Sequence, residues 1–207
     1  MTPTRHALYF SLCDDLSGTY VEVGTCWGGF AKWLLNSTPL TELVCVDPYR
    51  LFDEKEYIDT LNDQPQLALD MKFEMVRIQL NDVAEGRVRM LRTTSTEAAA
   101  TFPDESLSFV YIDANHAYTY VKQDIEAWIG KVRPGGILAG DDVESLDLPH
   151  DENGGKDAMI VHAGDPTGKT YGLYGVHTAL VDFKAANPWF DYTVSDGQFW
   201  WRKPCAP

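Results

Sequence analysis

Three aspartates and one histidine follow short apolar runs of the sequence, and their side chains suit acid–base or metal chemistry. Asp113 ends the run FVYI and lies three residues before His116, while Asp141 and Asp142 come directly after the run GGILAG. Carboxylates gathered at one place repel each other, so at least one must bind a proton unless a cation lies between them. Mg²⁺ prefers oxygen ligands, and a histidine titrates near neutrality. These residue types predict a cation site with a general base beside it, if the fold brings them together.

The elements that would position these residues alternate along the chain. Short apolar runs interleaved with longer helical patterns are typical of βαβ units and a parallel sheet. The runs that predict strands are 19–23, 43–46, 88–91, 108–112 and 136–139. The patterns that predict helices are 28–38, 53–81, 96–102, 117–132 and 175–187. The stretch 190–203 predicts a hairpin around an Asp196-Gly197 turn, so the last strand should run antiparallel to its neighbour.

Composition narrows the class of protein. The 207 residues carry a formal net charge of -14, and the lysines and arginines are scattered, which argues against nucleic acid and against anionic membranes as partners. No apolar run approaches the length of a membrane span, and the N-terminus lacks the apolar region of a signal peptide. We therefore predict a cytoplasmic protein with one domain over residues 1–207 and reduced cysteines. A homo-oligomer is compatible with these features, as is a monomer.

A glycine-rich turn follows the first predicted strand. In the segment YVEVGTCWGGF, glycines at 24, 28 and 29 allow a tight turn and a close approach of a ligand. The acid Glu22 stands two residues before the first glycine, where it would disfavour a pyrophosphate and favour a cationic ligand. The second strand ends in VCVDPY, which places Asp47 where a carboxylate can accept both hydroxyls of a ribose. Each motif taken alone is equally compatible with a plain turn and a solvated aspartate.

Together these segments resemble the class I S-adenosylmethionine-dependent methyltransferases, through the E-x-G-x-x-x-G pattern, the acid after the second strand and the PGG turn before the fifth. More narrowly, GTCWGG, VDPY, DANHAY and GDD are similar to segments of the macrocin O-methyltransferase family. The resemblance implies an α/β, Rossmann-like sheet of seven strands, mostly parallel with an antiparallel C-terminal hairpin strand, and helices on both faces.

The resemblance also implies a donor site. Glu22, Gly24 and Gly28 would hold the methionine part of S-adenosylmethionine, with Trp27 in the same loop. Asp47 would bind the ribose. The adenine region would be formed by Thr94, Ser95 and Thr96. Ser95 and Thr96 also suit the N-cap of a helix ahead of Glu97, which is an equally good interpretation of these two residues.

The fourth and fifth strands are neighbours in such a sheet, so the resemblance implies that Asp113, Asp141 and Asp142 bind Mg²⁺ or Mn²⁺. A bound cation orients a substrate hydroxyl and lowers its pKa, and His116 is the candidate general base, with Asp113 also at the catalytic centre. Catechol methyltransferases have a lysine at the offset of His116. The alternatives are that the aspartates cap helices or face water, and that His116 supports its neighbours or begins a helix.

The segment 143–174 is longer than the resemblance predicts, and we expect it to be an inserted lid that contacts substrate. Its GDPTGKT resembles a phosphate-binding loop, but Ala163 replaces the required first glycine, so a loop within an inserted hairpin is the better interpretation. The predicted activity is metal-dependent methyl transfer to a hydroxyl of a small molecule such as a sugar, macrolide or phenol. The alternatives are an N-methyltransferase, an enzyme acting on a macromolecule, and a catalytically silent module that binds the donor.

Overall fold

The computed structural model describes residues 5–53, 57, 64–143, 158–161 and 171–205. The helices are α1 (Arg5–Cys13), α2 (Gly29–Ser37), α3 (Gln66–Ala84), α4 (Ser95–Ala99), α5 (Tyr118–Trp128) and α6 (Val176–Ala186), with a 3-10 turn at Ile129–Lys131. The strands are β1 (Gly18–Val23), β2 (Leu40–Val46), β3 (Val88–Leu91), β4 (Leu107–Ile112), β5 (Val132–Gly140), β6 (Ala158–Val161), β7 (Tyr171–Tyr174), β8 (Thr193–Ser195) and β9 (Gln198–Arg202).

Seven strands form one sheet in the order β3-β2-β1-β4-β5-β9-β8. The five strands from β3 to β5 are parallel, whereas β9 runs antiparallel to β5 and pairs with β8 in a hairpin. This confirms the predicted α/β sheet and its antiparallel C-terminal strand. The chain leaves β1 toward β2 and returns at β4, so the order reverses between β1 and β4. A crevice at such a reversal, beyond the carboxyl ends of the strands, is where ligands bind in open α/β sheets.

The two faces of the sheet are buried under separate hydrophobic clusters. Alternation along β1 sends Val21 and Val23 to one face and Tyr20 to the other, and β4 does the same with Val110 and Phe109. Helices α4, α5 and α6 contribute to the first cluster, and α1, α2 and α3 to the second. Because both faces are covered, the central strands are apolar almost throughout, as parallel strands require.

Several predicted boundaries differ from the structure. The helix predicted over 53–81 begins only at Gln66, because Pro65 stands at its N-cap, and the described residues 51–53 and 57 are not helical. Strand β5 begins at Val132 and passes through the PGG segment, four residues earlier than predicted. Helix α4 begins at Ser95 with Thr94 as N-cap, so Ser95 and Thr96 lie inside the helix instead of capping it.

The N-terminal helix α1 packs into the core. Tyr9 is fully buried, and its ring contacts Phe30, Phe109 and Tyr111 edge to face. The two-stranded sheet of β6 and β7 lies within the predicted insert, while the segment 162–170 that contains GDPTGKT is outside the described residues. All four cysteines are free. Within the ranges described above, no helix combines the length and apolarity needed to cross a membrane.

Candidate active site

Backbone hydrogen bonds align the carboxyl ends of the central strands at one edge of the sheet. The amide of Asp113 donates to the Val23 carbonyl at 2.8 Å, and the amide of Asp141 donates to the Ile112 carbonyl at 3.1 Å. The glycine turn after β1 and the acids after β4 and β5 are therefore adjacent in space. This adjacency is what the sequence prediction required, since its candidate residues are far apart along the chain.

Gly24 lies where two strand ends approach closely. Its φ is +92°, and a Cβ at this position would lie 1.8 Å from the Asp113 carbonyl oxygen. Gly28, the N-cap of α2, has a φ of +72°, and a Cβ there would lie 2.9 Å from Val76 Cγ1. At each position the backbone has a positive φ and a neighbouring atom occupies the place of a Cβ, and only glycine tolerates both. The Gly24 turn therefore lies directly against the Asp113 backbone, and both residues line a space beyond these strand ends.

That space is a cavity of about 330 Å³. Among the predicted donor-binding residues, it is lined by Gly24, Asp47, Thr94, Ser95 and Thr96. Glu22 is a residue of β1 with 3% exposure. Trp27 is 55% exposed, and the Lys72 ammonium lies 4.6 Å from its ring centroid. Glu22, Trp27 and Gly28 are not among the residues that line the cavity.

Asp47 organises the loop that it faces. One carboxylate oxygen accepts the Cys26 amide at 2.9 Å, and the other accepts the Tyr49 amide at 2.8 Å. The Tyr49 hydroxyl donates to the Cys26 carbonyl at 2.9 Å and closes the same loop. Each carboxylate oxygen can accept more than one hydrogen bond, so this arrangement is compatible with additional hydroxyls from a ribose.

Asp113, His116 and Asp142 form a cluster whose potential ligand atoms all lie within 4.8 Å of one another. His116 Nε2 lies 3.0 Å from Asp142 Oδ2 and 3.4 Å from Asp113 Oδ1. Two carboxylates and an imidazole are a donor set that divalent cations accept. Asp142 has a φ of 57°, a conformation that turns the chain sharply after β5.

His116 is set by its surroundings to carry a proton. Burial alone would lower the pKa of the imidazole, but hydrogen bonds and charge from Asp113 and Asp142 outweigh burial and raise the pKa to about 10. The His116 ring stacks on Tyr174 with centroids 5.0 Å apart and planes 6° apart, and the Gly175 amide donates to the His116 carbonyl at 2.8 Å. The end of the predicted insert is thus attached to this histidine.

Asp141, the third predicted metal ligand, has a different environment. Its Oδ1 accepts the Gln198 side-chain amide and, at 2.8 Å, the amide of Asp142. Gln198 Oε1 in turn accepts the hydroxyls of Tyr9 at 3.0 Å and Tyr111 at 2.9 Å. The structure therefore brings Asp113 and Asp142 together with His116, and holds Asp141 beside them through a buried network.

Two buried ionisable residues that line the cavity were missed by the sequence reasoning. Lys72 is 4% exposed, and its ammonium donates to Cys26 Sγ at 3.1 Å. Burial raises the pKa of Cys26, although Lys72 opposes that effect. Asp124 is 5% exposed on α5. Both lie within helical patterns where charged residues ordinarily face solvent, so spacing alone offered no signal of their burial.

The order of the strands and the position of the site beyond their carboxyl ends define the class I S-adenosylmethionine-dependent methyltransferase fold. Residues 21–143, more than half of the chain, match the family model described as "Methyltransferase domain". The chain belongs to this methyltransferase family.

Solved structures with the same fold are distant in sequence. A protein from Corynebacterium glutamicum has a TM-score of 0.63 at 12% identity, covering 99% of this chain and 82% of that one. The O-methyltransferase NovP has a TM-score of 0.61 at 15% identity, covering 97% and 79%. Cofactor-bound Rv0187 from MTB has a TM-score of 0.56 at 17% identity, covering 100% and 82%.

A curated relative matches only a short segment. The uncharacterised protein y4gI of Sinorhizobium fredii is 39% identical over 56 residues, which is 27% of this chain. The match spans 6% of the length of that protein.

Proposed function

We propose that this protein transfers the methyl group of S-adenosylmethionine to a hydroxyl of a small molecule, with the help of a divalent cation. The observation that supports this most is that Asp113 belongs both to the wall of the cavity and to the cluster with His116 and Asp142. A donor in the cavity and an acceptor hydroxyl at the cluster would meet at this one residue. Such positioning is the main requirement of an in-line displacement.

Asp113 and Asp142 would hold the cation, with Asp141 beside them as the third acid. Carboxylate oxygens favour Mg²⁺ and Mn²⁺, and a nearby imidazole makes Mn²⁺ the more informative probe. When bound, a divalent cation lowers the pKa of a coordinated hydroxyl and orients it.

In the transfer itself, the acceptor oxygen forms a bond to the methyl carbon while the bond from that carbon to the sulfonium sulfur breaks. The sulfonium becomes a neutral thioether, and the hydroxyl proton leaves to a base, for which His116 Nε2 is the candidate. Because Asp113 and Asp142 hold His116 protonated, it must lose that proton first. A cation held by Asp113 and Asp142 would neutralise their charge. The pKa of His116 would then fall, which favours the loss of its proton.

The acceptor would be small and bounded by the insert 143–174, acting as a lid. Two contacts support this role, namely the stacking of Tyr174 on His116 and the hydrogen bond from the Gly175 amide to the His116 carbonyl. The net charge of -14 argues against a nucleic-acid substrate. We also propose that the enzyme acts in the cytoplasm.

The test combines calorimetry with S-adenosylhomocysteine and methyl transfer to a panel of phenols and glycosides, with and without Mn²⁺. We expect Asp113→Asn and Asp142→Asn to weaken Mn²⁺ binding at least about tenfold, with a smaller loss for Asp141→Asn. S-adenosylhomocysteine affinity should stay largely unchanged in Asp142→Asn and Asp141→Asn, because neither residue lines the cavity. The control is Asp104→Asn, which alters an exposed aspartate paired with Lys131.

Three results would contradict the proposal in different ways. Full transfer in excess EDTA, with no response to Mn²⁺, would show that the reaction does not need a cation. Transfer to amines alone would make the protein an N-methyltransferase. Binding of S-adenosylhomocysteine without transfer to any acceptor would indicate a silent donor-binding module.

A further inference from the structure

Asp124 is a buried acid in the cavity that the proposed chemistry does not use. It lies on α5 with 5% exposure and lines the cavity together with Thr94, Ser95 and Thr96. These three residues come from the end of β3 and the start of α4, a different part of the cavity wall from the glycine turn after β1. A carboxyl group at this place must be satisfied by the protein or by the ligand.

The protein satisfies it only in part. Trp128, one helical turn after Asp124 and fully buried, donates from its indole Nε1 to Ser95 Oγ at 2.9 Å. The Ser95 hydroxyl interacts by a hydrogen bond with the Asp124 carboxyl. A serine has a single hydroxyl proton, so donating it to Asp124 leaves none for a ligand. The indole and the hydroxyl thus fix the position of the carboxyl group.

No cation of the described chain forms an ion pair with Asp124, in contrast to the exposed acids Asp104 and Asp191. Burial accordingly raises the pKa of Asp124 to about 7, with only the Ser95 hydrogen bond opposing it. A buried carboxyl without a cation is best satisfied by a neutral N–H donor, because a hydrogen bond then replaces the lost water.

We propose that Asp124 recognises the adenine of the donor through its exocyclic amino group, and so selects adenosyl over 6-oxopurine ligands. The inference rests on the proposed S-adenosylmethionine function. The adenine amino group donates hydrogen bonds that a carboxyl oxygen accepts. Hypoxanthine carries a carbonyl oxygen at the same position. When the carboxyl group is ionised, two hydrogen-bond acceptors would face each other without a donor. Ser95, predicted to contact the adenine, instead acts as a positioning residue for Asp124.

Calorimetry with S-adenosylhomocysteine and its deaminated analogue S-inosylhomocysteine tests this selectivity at a pH well above the raised pKa of Asp124, where the carboxyl is ionised. We expect the unaltered protein to prefer the adenosyl ligand about tenfold or more. In Asp124→Asn, the amide nitrogen can donate to the purine oxygen, so the preference should fall to near one or invert. Ser95→Ala should reduce the preference to an intermediate value, because the acid keeps its chemistry but loses its orientation.

Glu126→Gln is the matched control, since Glu126 is an exposed acid on the same helix, and it should keep the full preference. Melting temperature and circular dichroism would verify that each variant is folded. If Asp124→Asn does not fold, an undiminished preference in Ser95→Ala would overturn the inference. If S-adenosylhomocysteine binds and Asp124→Asn keeps the preference, the inference is wrong and the donor function stands. If the unaltered protein binds neither ligand, both fail.

Discussion

At the scale of single residues, two of the aspartates that line the cavity, Asp47 and Asp124, have opposite surroundings. Asp47 accepts two backbone amides, and each stabilises its ionised form. Asp124 is buried with one hydroxyl as partner, so its ionised form is disfavoured. Asp47 thus suits the hydroxyls of a ribose, and Asp124 suits the amino group of a base.

The raised pKa of Asp124 predicts a pH-dependent cost to the ligand-free protein. Between about pH 4 and pH 7 the unfolded chain releases the Asp124 proton and the folded chain keeps it, so stability falls as the pH rises through this window. Asp124→Asn removes this cost. The stability of the variant relative to the unaltered protein should therefore increase, by up to about 4 kcal/mol, from pH 4 to pH 8.

Urea denaturation at several pH values measures that difference, and Glu126→Gln provides the control for removing an acid from the exposed face of α5. A difference between Asp124→Asn and the unaltered protein that stays constant over this range would contradict the prediction.

At the scale of elements, the C-terminal hairpin and the first helix support the acidic end of β5. Gln198 on β9 is 4% exposed and joins α1, β4 and β5 through Tyr9, Tyr111 and Asp141. These elements come from opposite ends of the chain. Asp141, one of the three predicted cation ligands, is therefore positioned by residues from distant parts of the chain.

Removing Gln198 should cost more than removing one of its partners. Gln198→Leu leaves a partly buried carboxylate oxygen and two buried tyrosine hydroxyls without this partner, so we expect a loss of about 2 to 4 kcal/mol in the free energy of unfolding. Tyr9→Phe removes one hydrogen bond and should cost about 1 kcal/mol. Chemical denaturation of both variants checks this, and equal losses would show that Gln198 does not connect the network.

At the scale of the whole molecule, one sheet with two covered faces forms the cavity, and the two ends of the predicted insert 143–174 are attached next to the acidic cluster. Val143 donates its amide to the Gly197 carbonyl at 2.8 Å, which ties the start of the insert to the C-terminal hairpin. Tyr174 at the other end of the insert stacks on His116. Both ends of the insert are thus anchored in the vicinity of the acidic cluster.

Excising residues 151–171 and joining the ends with a short flexible linker should separate binding from turnover. The donor cavity is lined from other elements, so S-adenosylhomocysteine affinity should stay largely unchanged, whereas transfer to the acceptor should be lost with the lid. Calorimetry and a transfer assay measure the two effects. Tyr174→Phe retains the stacked ring and is the control, and loss of cooperative unfolding on excision would make the insert core structure.

The sequence by itself determined the class of fold, the antiparallel C-terminal strand and the residues at the strand ends. These depend on local patterns, namely apolar runs, glycine turns and acids directly after strands, which act over a few residues. The start of α3 was missed because the polar stretch before Pro65 has no periodicity that separates a loop from a helix.

Only the tertiary structure decided which ionisable groups meet. The grouping of His116 with Asp113 and Asp142, the attachment of Asp141 to Gln198, and the burial of Lys72 and Asp124 all depend on side chains from distant parts of the chain. A carboxylate has the same sequence signature whether it faces water, an amide or a hydroxyl. Its chemistry follows from desolvation and from its partners, and both exist only once the sheet and its helices have packed.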